Sequence, residues 1–496
     1  MSLVLSVLWG ALCGAALIFS LAPFDIWPLA FVSAGGLFFL LEHYPNRFLP
    51  IAIAFGFAKY GFGLSWVYVS IHDYGAASPL LAGSLVVLLT AIMTTLTWLQ
   101  CRAYVLRRTS SLMWKVTLFA TWWTWIEWLW SNPFFGFPWL FAGYSQLQTP
   151  LSGFAPIGGV LLISFFVALV GAALFSLSRR NWWMAAVVVA PMLLGFLIQD
   201  VQWTKAVGTQ TVALVQGNTE QSVKWDEDRR DQIVRTHVRL TAPYWGEVDT
   251  IVWPESAITS WAHEAGFLLD RLHAEGERSS TALVTGIPIA EREDEDVHVY
   301  NGVIAVGTGE GRYLKQMLVP FGEYVPFESV LRGLIAFFDL PMSAFTEGPY
   351  EQPLLRINGV PAVMLICYEV AFPRFVAQET REAEVLLTIS NDTWFGGSIG
   401  PLQHMQIAQM RARELDRWVL RATNNGLTGI VNSRGEIVAS IPRFEEGVLT
   451  GTWERRQGTT PWQRLGELPL ILFLVLIVMF AESRRRKQAD SPPHAE

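Results

Sequence analysis

The sequence predicts a protein in two parts: a multi-span α-helical membrane domain of about eight transmembrane helices, and an extracytoplasmic α/β domain. Three observations carry this. The chain is 52% hydrophobic with 22 Trp and 31 Phe, too apolar and aromatic for an ordinary soluble protein. That excess lies mostly before residue 200. A polar block of roughly 250 residues follows, in which short apolar runs alternate with amphipathic stretches.

A bilayer crossing takes about 20 apolar residues. Runs at 2–22, 26–42, 50–71, 79–100, 112–130, 152–177 and 182–199 fit that requirement, and one more lies at 467–482. The first run has no basic n-region and no small-residue cleavage site, so it reads as a retained span. Arg47, Arg102, Arg107, Arg108, Arg179, Arg180 and the run Arg484-Arg-Arg-Lys487 fall in alternate connections. Basic loops stay cytoplasmic, which places both termini inside and the polar block outside, in the periplasm of a Gram-negative cell. The predicted domains are therefore 1–205 (about seven spans), 206–457 (the soluble block) and 458–496 (a last span and a basic cytoplasmic tail).

In the block, strands are expected over 211–216, 250–253, 282–287, 302–306, 362–366, 385–390, 418–422, 427–431 and 447–452. Helices are expected over 226–241, 264–275, 370–379 and 402–415. Strands alternating with helices argue for sheets covered by helices. A net charge of −7 gives no support to nucleic-acid binding. There is no phosphate-binding glycine loop, no dinucleotide fingerprint and no His/Cys/Asp cluster with metal-ligand spacing, so no metal and no cofactor are expected.

Three polar residues close or flank apolar runs. Glu255 ends Thr250-Ile-Val-Trp-Pro-Glu255, partly desolvated beside Trp253. Lys315 stands before Val319-Pro-Phe-Gly-Glu-Tyr-Val-Pro326, a shaped loop in which Glu323 either holds the loop or helps tune a thiol. Cys367 ends Pro361-Ala-Val-Met-Leu-Ile-Cys367 and is the only cysteine of the block, so it has no disulfide partner there. Carboxylate, ammonium and thiol form a set for acyl transfer: base, oxyanion stabiliser and nucleophile. A neighbouring lysine and the helix expected after Tyr368 favour a thiolate, and the Tyr368 N–H can join the oxyanion hole. Glu369 is a second carboxylate near the thiol.

The order Glu, Lys, Cys with these flanks resembles the nitrilase superfamily over roughly residues 209–455. The strings Leu318-Val-Pro-Phe-Gly-Glu-Tyr-Val-Pro326, Ile366-Cys-Tyr-Glu369 and Ser390-Asn-Asp-Thr-Trp-Phe395 resemble the membrane-embedded apolipoprotein N-acyltransferase family within it. The resemblance implies an αββα sandwich and a thioester relay in the bacterial inner membrane. A phospholipid would be the acyl donor, a diacylglyceryl apolipoprotein the acceptor, and the enzyme a monomer. It also implies a need for Glu323, and an active-site place for Trp225, which composition alone reads equally well as packing. A membrane-anchored amidase using water, or an inactive lipid-binding or transport scaffold, are the competing readings. The apolar stretch Leu331-Arg-Gly-Leu-Ile-Ala-Phe-Phe-Asp339 reads as a lid, and Lys59 and Glu127 as a possible intramembrane pair.

Overall fold

The computed structural model describes residues 1–131, 136–293, 296–326 and 344–489. The expected lid lies outside the described residues. The chain divides into two compact units: Met1–Ser65 with Gly83–Val201 and Arg464–Glu496, and Trp66–Ala82 with Gln202–Gln463.

In the first unit, the apolar runs become the helices Leu3–Phe19, Pro28–His43, Phe48–Gly63, Pro79–Leu106, Leu112–Trp130, Ala155–Phe175, Met184–Ile198 and Leu468–Ala489. Glycines let them approach closely: a Cβ on Gly10 would lie 3.1 Å from the Ile51 carbonyl oxygen. Among the described residues, Pro79–Leu106 and Pro150–Phe175 are long and apolar enough to cross a membrane. A third candidate is the pair Pro45–Gly63 and Trp66–Tyr74, bent by 50°. Helices thus form where the eight runs predict them, while two or three meet the length and composition of a span. Glu127 is buried and accepts hydrogen bonds from Trp123 Nε1 at 2.8 Å and the Ala142 N–H at 3.0 Å.

The second unit holds two sheets. The first contains β1 (Lys205–Gln216), β2 (Thr250–Val252), β3 (Ala282–Glu293), β4 (Asp296–Gly307), β6 (Arg312–Leu314) and β13 (Gly447–Gln457), in the order β13-β1-β2-β3-β4-β6. The second contains β5 (Gly309–Glu310), β7 (Leu355–Ile357), β8 (Val360–Ile366), β9 (Val385–Ser390), β10 (Val419–Thr423), β11 (Thr428–Val431) and β12 (Ile437–Ile441), in the order β12-β11-β10-β9-β8-β7-β5. The centres, β1-β2-β3 and β8-β9-β10, are parallel, which explains their continuous apolar runs.

Side chains alternate across each strand. Val212 and Leu214 face inward, where they share one core with Met364, Ile366, Leu387 and Leu420 of the other sheet. Ala213 and Val215 face outward, in a second core with Leu240, Leu268 and Leu272 of the helices Arg230–Thr241 and Gly266–Ser279. The helices Pro373–Glu379 and Gly400–Leu415 belong to the second sheet's side, with Met405 against Gly429 of β11. This is the αββα sandwich that the resemblance implied. Each inward Leu or Ile, fully buried, contributes about 1.5–3 kcal/mol. Parallel strands open binding sites at their carboxyl ends. Glu255, Cys367 and Asn391 follow the ends of β2, β8 and β9.

Candidate active site

The nucleophile candidate sits at a backbone switch. Cys367 follows the last residue of β8 and has φ +53°, a left-handed conformation that costs a non-glycine residue of order 1 kcal/mol or more. The chain then turns into a short 3₁₀ helix, Cys367–Ala371. His404, on the helix Gly400–Leu415, braces the turn with Nε2 3.0 Å from the Cys367 carbonyl oxygen. That contact requires a proton on Nε2. Nδ1 then accepts from Arg421 at 2.9 Å, and the same guanidinium donates to Asp392 Oδ2 at 2.8 Å. Burial and Arg421 hold His404 below its ordinary pKa, so the ring is neutral. Burial opposes ionisation of Asp392, but the Arg421 guanidinium keeps its carboxyl well below the usual range.

Cys367, Asp392 and His404 bring their ligand atoms within 4.8 Å of one another, a proximity that sequence spacing did not suggest. The donor set does not fit a cation, because the Arg421 guanidinium already occupies Asp392 and faces the histidine. The cluster instead braces the Cys367 carbonyl.

Glu255 is buried and fully engaged. Oε1 accepts from Asn301 Nδ2 and Oε2 from the Asn391 N–H, both at 2.7 Å. Ser256, next in the chain, has φ +48°. Gly286 leaves room for this turn: a Cβ there would lie 2.7 Å from the Pro254 carbonyl oxygen and 2.8 Å from the Glu255 Cα. Lys315 follows β6, with Nζ 4.0 Å from Glu255 and 2.7 Å from Glu323. Burial works against its ammonium, but Glu323 and Glu255 outweigh it and raise the pKa above the ordinary lysine value. Glu323 also accepts the Val319 N–H at 2.9 Å and Asn301 Nδ2 at 2.9 Å. It therefore holds its own loop and at the same time faces Lys315.

The thiol departs from expectation. A neighbouring lysine does lower its pKa, but burial and the charge of Glu255 prevail, and the thiol is pushed up to about 12. At rest the sulfur keeps its proton.

The structure gathers Glu255, Lys315, Glu323, Cys367 and Glu369 into one network. Tyr368 is buried against Phe372 with ring centroids 5.0 Å apart. Trp225 is half-buried, and its neighbour Lys224 is the residue that reaches Glu255: Nζ donates to the Glu255 carbonyl oxygen at 2.9 Å. Sequence reasoning passed over Lys224, Asn301, Asn391 and the Asp392–Arg421 pair. Asn391 and Asp392 lie within the quoted string Ser390–Phe395, and the others carried no signal in the sequence.

Comparison with known proteins settles the kinship. A family model for the apolipoprotein N-acyltransferase N-terminal domain matches residues 13–173, and one for carbon–nitrogen hydrolases matches residues 211–460. The apolipoprotein N-acyltransferase of Pseudomonas aeruginosa is 44% identical over 481 residues, 94% of each chain. The chain belongs to the apolipoprotein N-acyltransferase family. It is a bacterial membrane acyltransferase with a carbon–nitrogen hydrolase domain. The relative from Azotobacter vinelandii is 43% identical over 492 residues, 97% of this chain and 95% of that one. Among solved structures, a CN-hydrolase superfamily protein from Xanthomonas campestris is 18% identical with a TM-score of 0.37, covering 50% of this chain and 91% of that chain.

Proposed function

We propose that this apolipoprotein N-acyltransferase family member moves a fatty acyl group from a phospholipid to the α-amine of an N-terminal diacylglyceryl-cysteine on an apolipoprotein, through a Cys367 thioester. The observation that carries this reading is the convergence of Glu255, Lys315 and Cys367 at the carboxyl ends of strands from both sheets.

In the first half-reaction, the thiol proton passes to Glu255 and the sulfur attacks the ester carbonyl. Lys315 and the Tyr368 N–H take the oxyanion charge. Collapse breaks the ester C–O bond, Glu255 returns the proton to the leaving oxygen, and lysophospholipid departs. In the second, the acceptor amine attacks the thioester and gives its proton to Glu255. The C–S bond breaks and the thiol regains that proton. All eight apolar helices cross the inner membrane in this reading, with 206–457 as the periplasmic catalytic domain.

Incubating the protein with phosphatidylethanolamine alone should add one acyl mass to the peptide containing Cys367, and Cys367→Ser should abolish that adduct. Discharge of the adduct by a diacylglyceryl-cysteine peptide supports an acyltransferase. Discharge by water alone would assign an amidase-type hydrolase instead.

A further inference from the structure

Lys224 is almost wholly buried, at 2% exposure, in a unit whose surface holds most of its other cations. A buried ammonium is costly unless neighbouring charge offsets it. Its nitrogen lies 2.9 Å from the backbone carbonyl of Glu255. Three titratable groups feel its charge: Glu255, Cys367 and His237, the last packed on Trp253 with ring centroids 5.2 Å apart.

Charge counting around the site gives this lysine a task. Glu255 and Glu323 bring two negative charges, and Lys315 brings one positive charge, drawn closest to Glu323. Lys224 brings the second positive charge. With it, and with the Asp392–Arg421 pair cancelling and burial holding Glu369 toward its neutral form, the state in which Glu255 has taken the thiol proton is neutral. Without it, that same state carries a net negative charge in a buried place.

We infer that Lys224 is a positioning residue that holds the Glu255 backbone and supplies a positive charge that favours the Cys367 thiolate. This rests on the thioester reading above. Burial lowers the Lys224 ammonium to about 8, while Glu255 and a Cys367 thiolate hold it up, and reciprocity means that the ammonium favours both anions.

The test uses full-length protein in detergent and iodoacetamide, with labelling of the Cys367 peptide read by mass spectrometry from pH 6 to 10. Lys224→Met should label about tenfold more slowly than the native protein at pH 7, the scale of one lost charge interaction at an effective dielectric near 20. The native advantage should shrink above pH 8 as Lys224 loses its own proton. Lys224→Arg, charged throughout, should keep the advantage to pH 10. Equal labelling of folded native and Met proteins overturns the inference. So does an Arg variant that loses its advantage at the same pH as the native protein, a comparison that holds even if the Met variant fails to fold. Acyl-enzyme formation from phosphatidylethanolamine is followed in parallel. If native Cys367 labels but never acquires an acyl group, the thioester reading fails and the comparison of labelling rates still judges Lys224.

Discussion

Glu369 accepts the backbone N–H of Gln316 at 2.7 Å, and its other oxygen accepts the N–H of Ile366 at 2.7 Å. The residue after Lys315 and the residue before Cys367 thus hang on one buried carboxyl group. Tyr313 and the Met317 N–H complete the set at 2.8 and 3.2 Å. The distance between ammonium and thiol is set by this clamp as much as by the strands.

The clamp gives a pH-dependent stability. Burial raises the Glu369 carboxyl from 4.5 to about 7, against the pull of Ile366, Lys315 and Gln316. The folded state then binds more protons than the unfolded state between those values, so stability falls as pH rises from 4.5 to 7 and is level above. The fall attributable to this group is about 3 kcal/mol. Glu369→Gln should be less stable throughout, because its amide meets backbone donors. The gap to the native protein should narrow from pH 4.5 to 7. Thermal melts in detergent across that range check it, and a constant gap would contradict the assignment.

Glu255 and Lys315 should separate by opposite effects on the thiol. The Glu255 charge raises the Cys367 pKa and the Lys315 charge lowers it. Glu255→Gln should therefore speed alkylation of Cys367 at a fixed pH, yet slow thioester formation by about two to four orders of magnitude through loss of the base. Lys315→Met should slow both, thioester formation by about two to three orders of magnitude. Higher pH should partly rescue the Gln variant only. If both variants alkylate more slowly, Glu255 acts chiefly as a structural anchor.

Much of this arrangement was legible in the chain because the parallel strands are continuous apolar runs that stop on polar residues. The runs before Glu255 and Cys367 became β2 and β8, and 385–390 became β9 at the expected bounds. The strands β5, β6, β7 and β12 escaped notice because two or three residues, or an exposed edge such as Ile437–Ile441, carry no apolar pattern. Lys224 was passed over, since only the folded chain buries it under Glu255. Asp392 and Arg421 are separated by 29 residues, and no spacing rule joins them. The apolar runs located the helices, but Leu112–Trp130 carries Lys115, Glu127 and several tryptophans, so composition gave less than a clear span.

Orientation is testable through the basic connections. Reporter fusions after Arg108 and Arg180 should read cytoplasm, and fusions near Asp73 and within 210–455 should read periplasm. A cytoplasmic signal from the soluble block would remove access to lipoproteins anchored on the outer face and would oppose the proposed acceptor.

The segment Trp66–Ala82 lies next in the chain to an apolar helix, yet it groups with the catalytic unit. The contacts explain why. Ser70 Oγ donates to the Trp394 carbonyl oxygen at 2.8 Å, and the Trp66 ring meets Phe395 edge-on with centroids 4.7 Å apart. Gly396, at φ +50°, leaves room for Val69, since a Cβ there would lie 2.9 Å from Val69 Cγ1. Phe395 in turn packs on His404 at 6.1 Å, and His404 donates to the Cys367 carbonyl. Trp66→Ala removes the first ring of this series and should leave a cavity costing about 3–5 kcal/mol. It should also slow single-turnover acylation of Cys367 about tenfold, the effect expected when a nucleophile shifts by a fraction of an ångström. Trp66→Phe, which keeps an aromatic edge, should recover most of the rate. Loss of stability with acylation of the folded fraction unchanged would confine the segment to a packing role.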